Sequence, residues 1–280
     1  MLIRIGYEMI FSLPGPTAMT FLLYVLPSRT GDLRHPDDLR TDPLLPVENF
    51  TDCFGNRCAR LLAPAGKLRV WSDSIIEDGG LPEPIFENAV QHPIEELPTE
   101  CLEFLLPSRY CEVDRLTDTA WQLFADTPPG WARVQAIRDW VHDNVEFGYQ
   151  YACPTKTAFD VYQDRKGVCR DVTHLSITFC RAMNIPTRYA TGYLGDIGVP
   201  PNDSPMDFSA CFQVYLGGQW HTFDARHRER RIGWVLMATG RDAADCAITT
   251  SYGAHILDKF EVWTDEVQSA KLDERKMLIN

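Results

Sequence analysis

The sequence predicts an α+β protein: a β-sandwich-like module first, then a domain of helices followed by an antiparallel sheet. Three observations predict it. Apolar residues recur at every second position through the first part of the chain, with Pro and Gly between the runs. From about residue 112 the apolar spacing changes to three and four, the period of amphipathic helices. After residue 186 the period-two runs return, two of them joined by Gly217-Gly218, a strong hairpin signal.

Taken in order, "LIRIGYEMIF" alternates apolar and polar residues and "TAMTFLLYVLP" is a more buried run. "ENFTDCFGNRCARLLAP" carries the turn Phe-Gly-Asn between two strands, and "KLRVWSDSII" is another strand. Residues 79–100 are dense in Pro, Gly and Glu, the composition of an extended crossing. The domains are therefore set at 1–88 for the β module, 89–113 for a linker and 114–280 for the second domain. "EVDRLTDTAWQLFAD" and "PPGWARVQAIRDWVHDNVEF" read as helices, with Pro128 and Pro129 in the first turn of the latter. "TKTAFDVYQDRKG" is a shorter helix ending at Gly167. Val168 to Met183 is a third long helix, with Leu175, Phe179 and Met183 facing inward and Asn184 and Pro186 as its stop. "TRYATGYL", the hairpin "DFSACFQVYLGGQWHTFDAR", "IGWVLMATG" and "HILDKFEVWTDEV" are the later strands.

Composition excludes several classes. The 280 residues carry a net charge of −12 and no Lys/Arg-dense run, so neither a nucleic-acid nor an anionic-membrane partner is expected. Nine cysteines without a C-x-x-C pair lack the spacing of a zinc knuckle or a redox motif, and no metal or other cofactor is expected. The N-terminal stretch does not read as a signal peptide, and residues 17–27 are too short an apolar run to span a bilayer. A cytoplasmic protein with reduced thiols is expected.

One cysteine stands apart. Cys169, in "KGVCRDVTHLSITFC", opens the third long helix. Unpaired N–H groups at a helix start stabilise a thiolate, lower its pKa and can hold an oxyanion. A working site also needs an imidazole and a group to orient it. Without them, Cys169 is one more small packed thiol.

Gly167-Val168-Cys169-Arg170-Asp171 with His174 and Leu175 resembles the cysteine motif of the transglutaminase-like superfamily, relatives of papain-type cysteine proteases. Two further blocks agree in order: Asp207-Phe208-x-Ala210 with Val214-Tyr215-Leu216-Gly217-Gly218, and Trp220-x-Thr222-Phe223-Asp224. The resemblance covers roughly residues 115–260, and the N-terminal region looks like the accessory domain fused ahead of that core. It implies a papain-like transglutaminase core with Cys169 as nucleophile and Asp224 as the orienting carboxylate. The family pattern Asp-Phe-His-Ala-Trp here reads Asp207-Phe208-Ser209-Ala210-Cys211, so Ser209 occupies the catalytic histidine's position. A serine hydroxyl can relay a hydrogen bond but is no base at neutral pH.

Hairpin geometry narrows the search for another base. With Gly217-Gly218 as the turn, Leu216 pairs with Gln219, 211 opposes 224, and 209 opposes 226. Ser209, Cys211, Asp224 and Arg226 then share a face, and His221 lies on the other. His174, about 140° round the helix from Cys169 at ~100° per residue, cannot comfortably reach the thiol. His227, just past the hairpin, is the least excluded stand-in. Arg226 is expected to pair with Asp224 or to bind an anionic substrate group. Cys211 is either a second thiol at the site or filler where the family has Trp.

The expected function is cysteine-dependent acyl transfer on a peptide, protein or small amide or thioester: hydrolysis, deamidation or amide formation. The alternative is a degenerate transglutaminase-like binding or scaffold module. A homo-oligomer is left open.

Overall fold

The computed structural model describes residues 1–201 and 205–267. The chain opens with β1 (Leu2–Leu13), β2 (Thr17–Phe21), β3 (Arg40–Asp42), β4 (Glu48–Thr51), β5 (Arg57–Ala63) and β6 (Gly66–Glu77). The alternation in β1 sends Ile3, Ile5, Tyr7, Met9 and Phe11 into one core, where they meet Met19 and Phe21 of β2 and Leu61 of β5. Two four-stranded sheets enclose that core. Residues 79–112 cross to the second region through short 3-10 turns, and the Ala89 carbonyl and Val90 carbonyl accept from the N–H groups of Trp131 and Gly217.

The helices follow: α1 (Val113–Phe124) and α2 (Trp131–Asn144), then after β7 (Glu146–Phe147) α3 (Ala158–Asp164), and after β8 (Lys166–Gly167) α4 (Cys169–Ala182). Pro128 and Pro129 precede α2 instead of forming its first turn, because Gly130 at φ 91° is the residue that turns the chain into it. The third predicted helix stops before Gly167. Arg165 takes the left-handed conformation at φ 57°, its guanidinium stacked over Trp140 and Tyr162, and frees Lys166–Gly167 to pair with β7.

Then come β9 (Thr187–Tyr193), β10 (Ser209–Leu216), β11 (Gln219–Phe223), β12 (Val235–Gly240), β13 (Thr249–Ser251) and β14 (Ile256–Val267). The sheet β11-β10-β9-β12 carries α4 on one face. Leu175, Phe179 and Met183 are buried as their spacing predicts. From Asp171 to Ala182 the helix is buried all round, so its polar residues find partners at home. Ser176 and Thr178 donate to the carbonyls four residues back. Arg181, 2% exposed, donates to the carbonyls of Thr187, Leu106 and Arg241.

The domain boundaries need one correction. β13 and β14, expected inside 114–280, pair with β2 and β1 of the N-terminal sheets. The free edge of β1 needs a partner along its length, and the 12 residues of β14 supply one from Val267 opposite Leu2 to Ile256 opposite Ser12. A strand's pattern reports its faces and not its partner. Tyr193, Phe208, Val235 and Met237 also pack into the N-terminal core, joining the two regions. No helix among the described residues is long and apolar enough to cross a membrane.

Candidate active site

Cys169 is the first residue of α4, and the turn before it is tight. A Cβ at Gly167 would come within 2.7 Å of the Asp171 Cβ, so the backbone approaches the helix as only glycine permits. The Asp171 carboxylate accepts the Val168 N–H at 3.1 Å and pairs with the Arg170 guanidinium at 2.8 Å. Glycine, cysteine and aspartate at this spacing thus build a rigid helix start.

Cys169 is a partly exposed residue and lines a cleft of about 480 Å³, together with Cys153, Tyr149, Tyr189, Asp207 and Cys246. The loop "TGRDAAD" closes one wall: buried Asp242 accepts the Tyr110 N–H at 2.8 Å, and Ala243 lines the cleft. Burial pushes the Cys169 thiol above its ordinary pKa. The Arg226 guanidinium opposes that, the Asp207 carboxylate adds to it, and the N–H groups of Ala210 and Arg170 pull it back down. The net shift is upward, which corrects the expectation that the helix start alone lowers it: two N–H groups do not outweigh the loss of water around the sulfur.

The hairpin register matches its prediction from Leu216↔Gln219 to Phe212↔Phe223 and stops there. The expected pairs 211–224 and 209–226 do not form, because Asp224 leaves the sheet. Its Oδ1 accepts the N–H groups of Arg226 at 2.7 Å and His227 at 3.3 Å, an aspartate-capped turn. That turn swings His227 back, and its Nδ1 meets Asp224 Oδ2 at 2.7 Å. A carboxylate does orient an imidazole here. The imidazole, however, lines a second, smaller cavity with Ser209 and Arg226, and among the described residues no histidine lines the cleft of Cys169.

Arg226 does not form the expected ion pair with Asp224, whose carboxylate takes its main-chain N–H. The guanidinium instead lies over the rings of Phe147 at 4.3 Å and Tyr149 at 5.9 Å. β7 pairs with β8 immediately before Cys169, so this stack holds the cation near the sulfur.

Cys211 is fully buried against Ala190, Leu194 and Trp234 and lines none of these cavities, which corrects its reading as a second thiol at the site. Strand parity sends Ala210 and Phe212 toward α4 and Cys211 to the opposite face. His174 is buried, accepts the Ala243 N–H at 3.1 Å on Nε2 and stacks on Tyr110. Burial and the cations of Arg170 and Arg181 hold it neutral. His221 Nε2 donates to the Leu216 carbonyl at 3.1 Å, and the ring packs on Trp131 and Phe86. Sequence reasoning missed Cys153, Cys246 and Asp207 as cleft residues. Asp207 stood in a quoted motif, and its signal was its place one step before the buried run Phe208-Ser209-Ala210. Among the described residues no group of three His, Cys, Asp or Glu could hold a metal ion.

A thiol at the mouth of a buried helix, packed on an antiparallel sheet and opening onto a cleft, defines a class. The family model of the transglutaminase-like superfamily matches residues 118–225, a span that includes Cys169, Ser209 and Asp224 and ends two residues before His227. A solved structure from Cytophaga hutchinsonii, described as a "Putative Cysteine Protease", is 31% identical with a TM-score of 0.82, covering 96% of this chain and 91% of that one. The uncharacterized protein ML0607 of Mycobacterium leprae (strain TN) is 27% identical over 211 residues, 71% of this chain and 74% of that protein. The chain belongs to the transglutaminase-like superfamily.

Proposed function

We propose that this protein is a cysteine enzyme that transfers acyl groups from amides or thioesters through Cys169. One observation carries the reading: the sulfur sits at the start of α4, beside the N–H groups of Arg170 and Ala210, and opens onto the cleft. Those N–H groups are the kind that hold the oxyanion of a tetrahedral intermediate. The near-coextensive likeness to the C. hutchinsonii protein, itself described as a "Putative Cysteine Protease", supports it. Tyr110, Tyr149, Tyr189, Phe208 and Ile248 make the cleft largely apolar, which favours an uncharged acyl group. Peptide hydrolysis and deamidation both release the acyl group to water and differ in the amide that is cleaved, whereas amide formation releases it to an amine.

The test is acetylation by p-nitrophenyl acetate, with the adduct mapped by peptide mass. A leaving nitrophenolate needs no proton, so the probe asks only for a nucleophile. Cys169 is expected to carry the acetyl group and Cys169→Ser to lose it. Mapping matters because Cys153 lines the same cleft, and the Thr155 hydroxyl and N–H with Lys156 hold its thiol below the ordinary value. An adduct on Cys153 alone, or none, refutes the reading.

A binding or scaffold module is the second reading. It is favoured by the histidine-free cleft among the described residues and by the upward shift at Cys169. It expects no acetyl-enzyme.

A further inference from the structure

The acyl-transfer reading leaves a proton without a carrier. Attack by a thiol releases one, and an amide nitrogen needs one to leave. His227, held by Asp224, lines the neighbouring cavity, and Ser209 supplies a hydroxyl and no base.

Asp207 is differently placed. Among the described residues it is the one carboxylate lining the Cys169 cleft, and it also lines the cavity of Ser209, Arg226 and His227. Its charge is felt at the Cys169 sulfur. It is held in position from behind: its neighbour Phe208 is buried in the N-terminal core, packed against Tyr193 with ring centroids 5.1 Å apart and against Tyr7 at 6.4 Å. Oδ1 accepts the Phe208 N–H at 2.6 Å. Asp207 is an exposed residue, so water has access to it. Protein packed around it pushes its pKa up and Arg226 draws it down; exposure to water tempers both.

Resting on that reading, we propose that Asp207 is the proton carrier of the Cys169 cleft. As sulfur bonds to the substrate carbonyl carbon, the thiol proton moves to the Asp207 carboxylate. The carboxyl then gives that proton to the leaving nitrogen as the C–N bond breaks. In the second half, water bonds to the thioester carbon and its proton passes to Asp207. The C–S bond breaks and the proton returns to sulfur. The sum is amide plus water giving acid plus amine, with no oxidant or reductant.

The assignment makes opposite demands on two measurements, and this separates it from a structural role. An ionised Asp207 disfavours the thiolate while serving deacylation. In Asp207→Asn, iodoacetamide at pH 7.5 is expected to label Cys169 several-fold faster, because a neighbouring negative charge is gone. Hydrolysis of acetyl-Cys169, preformed with p-nitrophenyl acetate and followed by mass, is expected to slow about 100-fold or more. Asp207→Glu, which keeps a carboxylate on a longer stem, restores most of that rate. Fully buried Cys180 reports folding, and it stays unlabelled in both variants.

Deacylation of Asp207→Asn within about threefold of wild type overturns the proposal while leaving Cys169 as the nucleophile. So does an Asp207→Glu variant that is as slow as Asp207→Asn while Cys180 stays unlabelled in both. A wild-type protein whose Cys169 is never acetylated overturns acyl transfer itself, and the proton carrier with it.

Discussion

The cavities on either side of Asp207 divide what a cysteine protease usually keeps together. One holds the thiol, the helix N–H groups and an apolar wall. The other holds an imidazole oriented by a carboxylate at 2.7 Å, with Ser209 and Arg226 beside it. Each half is built with care: Gly167 and Asp171 fix the thiol, and the turn at Asp224 fixes His227. The difference teaches that a residue's chemistry is set by which cavity it opens into. Asp224 stands at the motif's position, yet its carboxylate caps a turn and turns its imidazole the other way.

Joining the halves gives the largest expected effect. Ser209→His places an imidazole where the motif carries one, on the residue after Phe208 and next to Ala210, whose N–H approaches the Cys169 sulfur. Hydrolysis of acetyl-Cys169 is expected to speed up about 100-fold at pH 7.5, the usual worth of a positioned acid–base group. The lifetime of the acetyl adduct by mass checks it. No change means that the division between the cavities is more than a missing base.

The thiol half is sharpened by pH. Burial raises the Cys169 thiol, so its thiolate is scarce at neutrality. Below the thiol pKa the thiolate fraction rises about tenfold per pH unit. Iodoacetamide labelling of Cys169 is therefore expected to climb from pH 7 past pH 9 without levelling. A plateau near pH 7 would instead mark a thiolate already poised. Cys180 sets the opposite limit. Burial pushes it up to about 12, and in the folded protein it is expected to stay unlabelled across the range.

Much of this fold was legible locally. The spacing of Leu175, Phe179 and Met183 located α4, and Gly217 and Gly218, at φ 57° and 85°, fixed the hairpin register. What escaped was non-local. Nothing in "HILDKFEVWTDEV" says that its partner is β1, some 250 positions earlier; a two-residue period is the same whichever edge it joins. The site followed the same rule. Cys169 was legible because helix start, glycine and aspartate are neighbours in sequence. The cleft was not, because Cys153, Asp207 and Cys246 reach it from three separate loops. The predicted ladder ends early at one residue, Asp224, whose side chain caps its own backbone.

A smaller effect tests the cation shared between the halves. Arg226 lies over Phe147 and Tyr149 and favours the Cys169 thiolate. Arg226→Gln removes the charge and most of the stacking. Labelling of Cys169 at pH 8 is expected to slow about threefold, a partly screened cation being worth a fraction of a pKa unit. An unchanged rate means that the guanidinium serves the second cavity alone.

The smallest effect probes the imidazole half. Asp224→Asn keeps the side chain's shape and an oxygen for the Arg226 and His227 N–H groups, so the turn holds. It removes the negative charge facing His227 Nδ1. The change at the imidazole is readable from the His227 ring-proton shifts by NMR. Because that ring faces the other cavity, Cys169 labelling is expected to stay within about twofold of wild type. A drop of tenfold or more breaks the comparison: it means that His227 reaches the sulfur after all, and that the two cavities act as one.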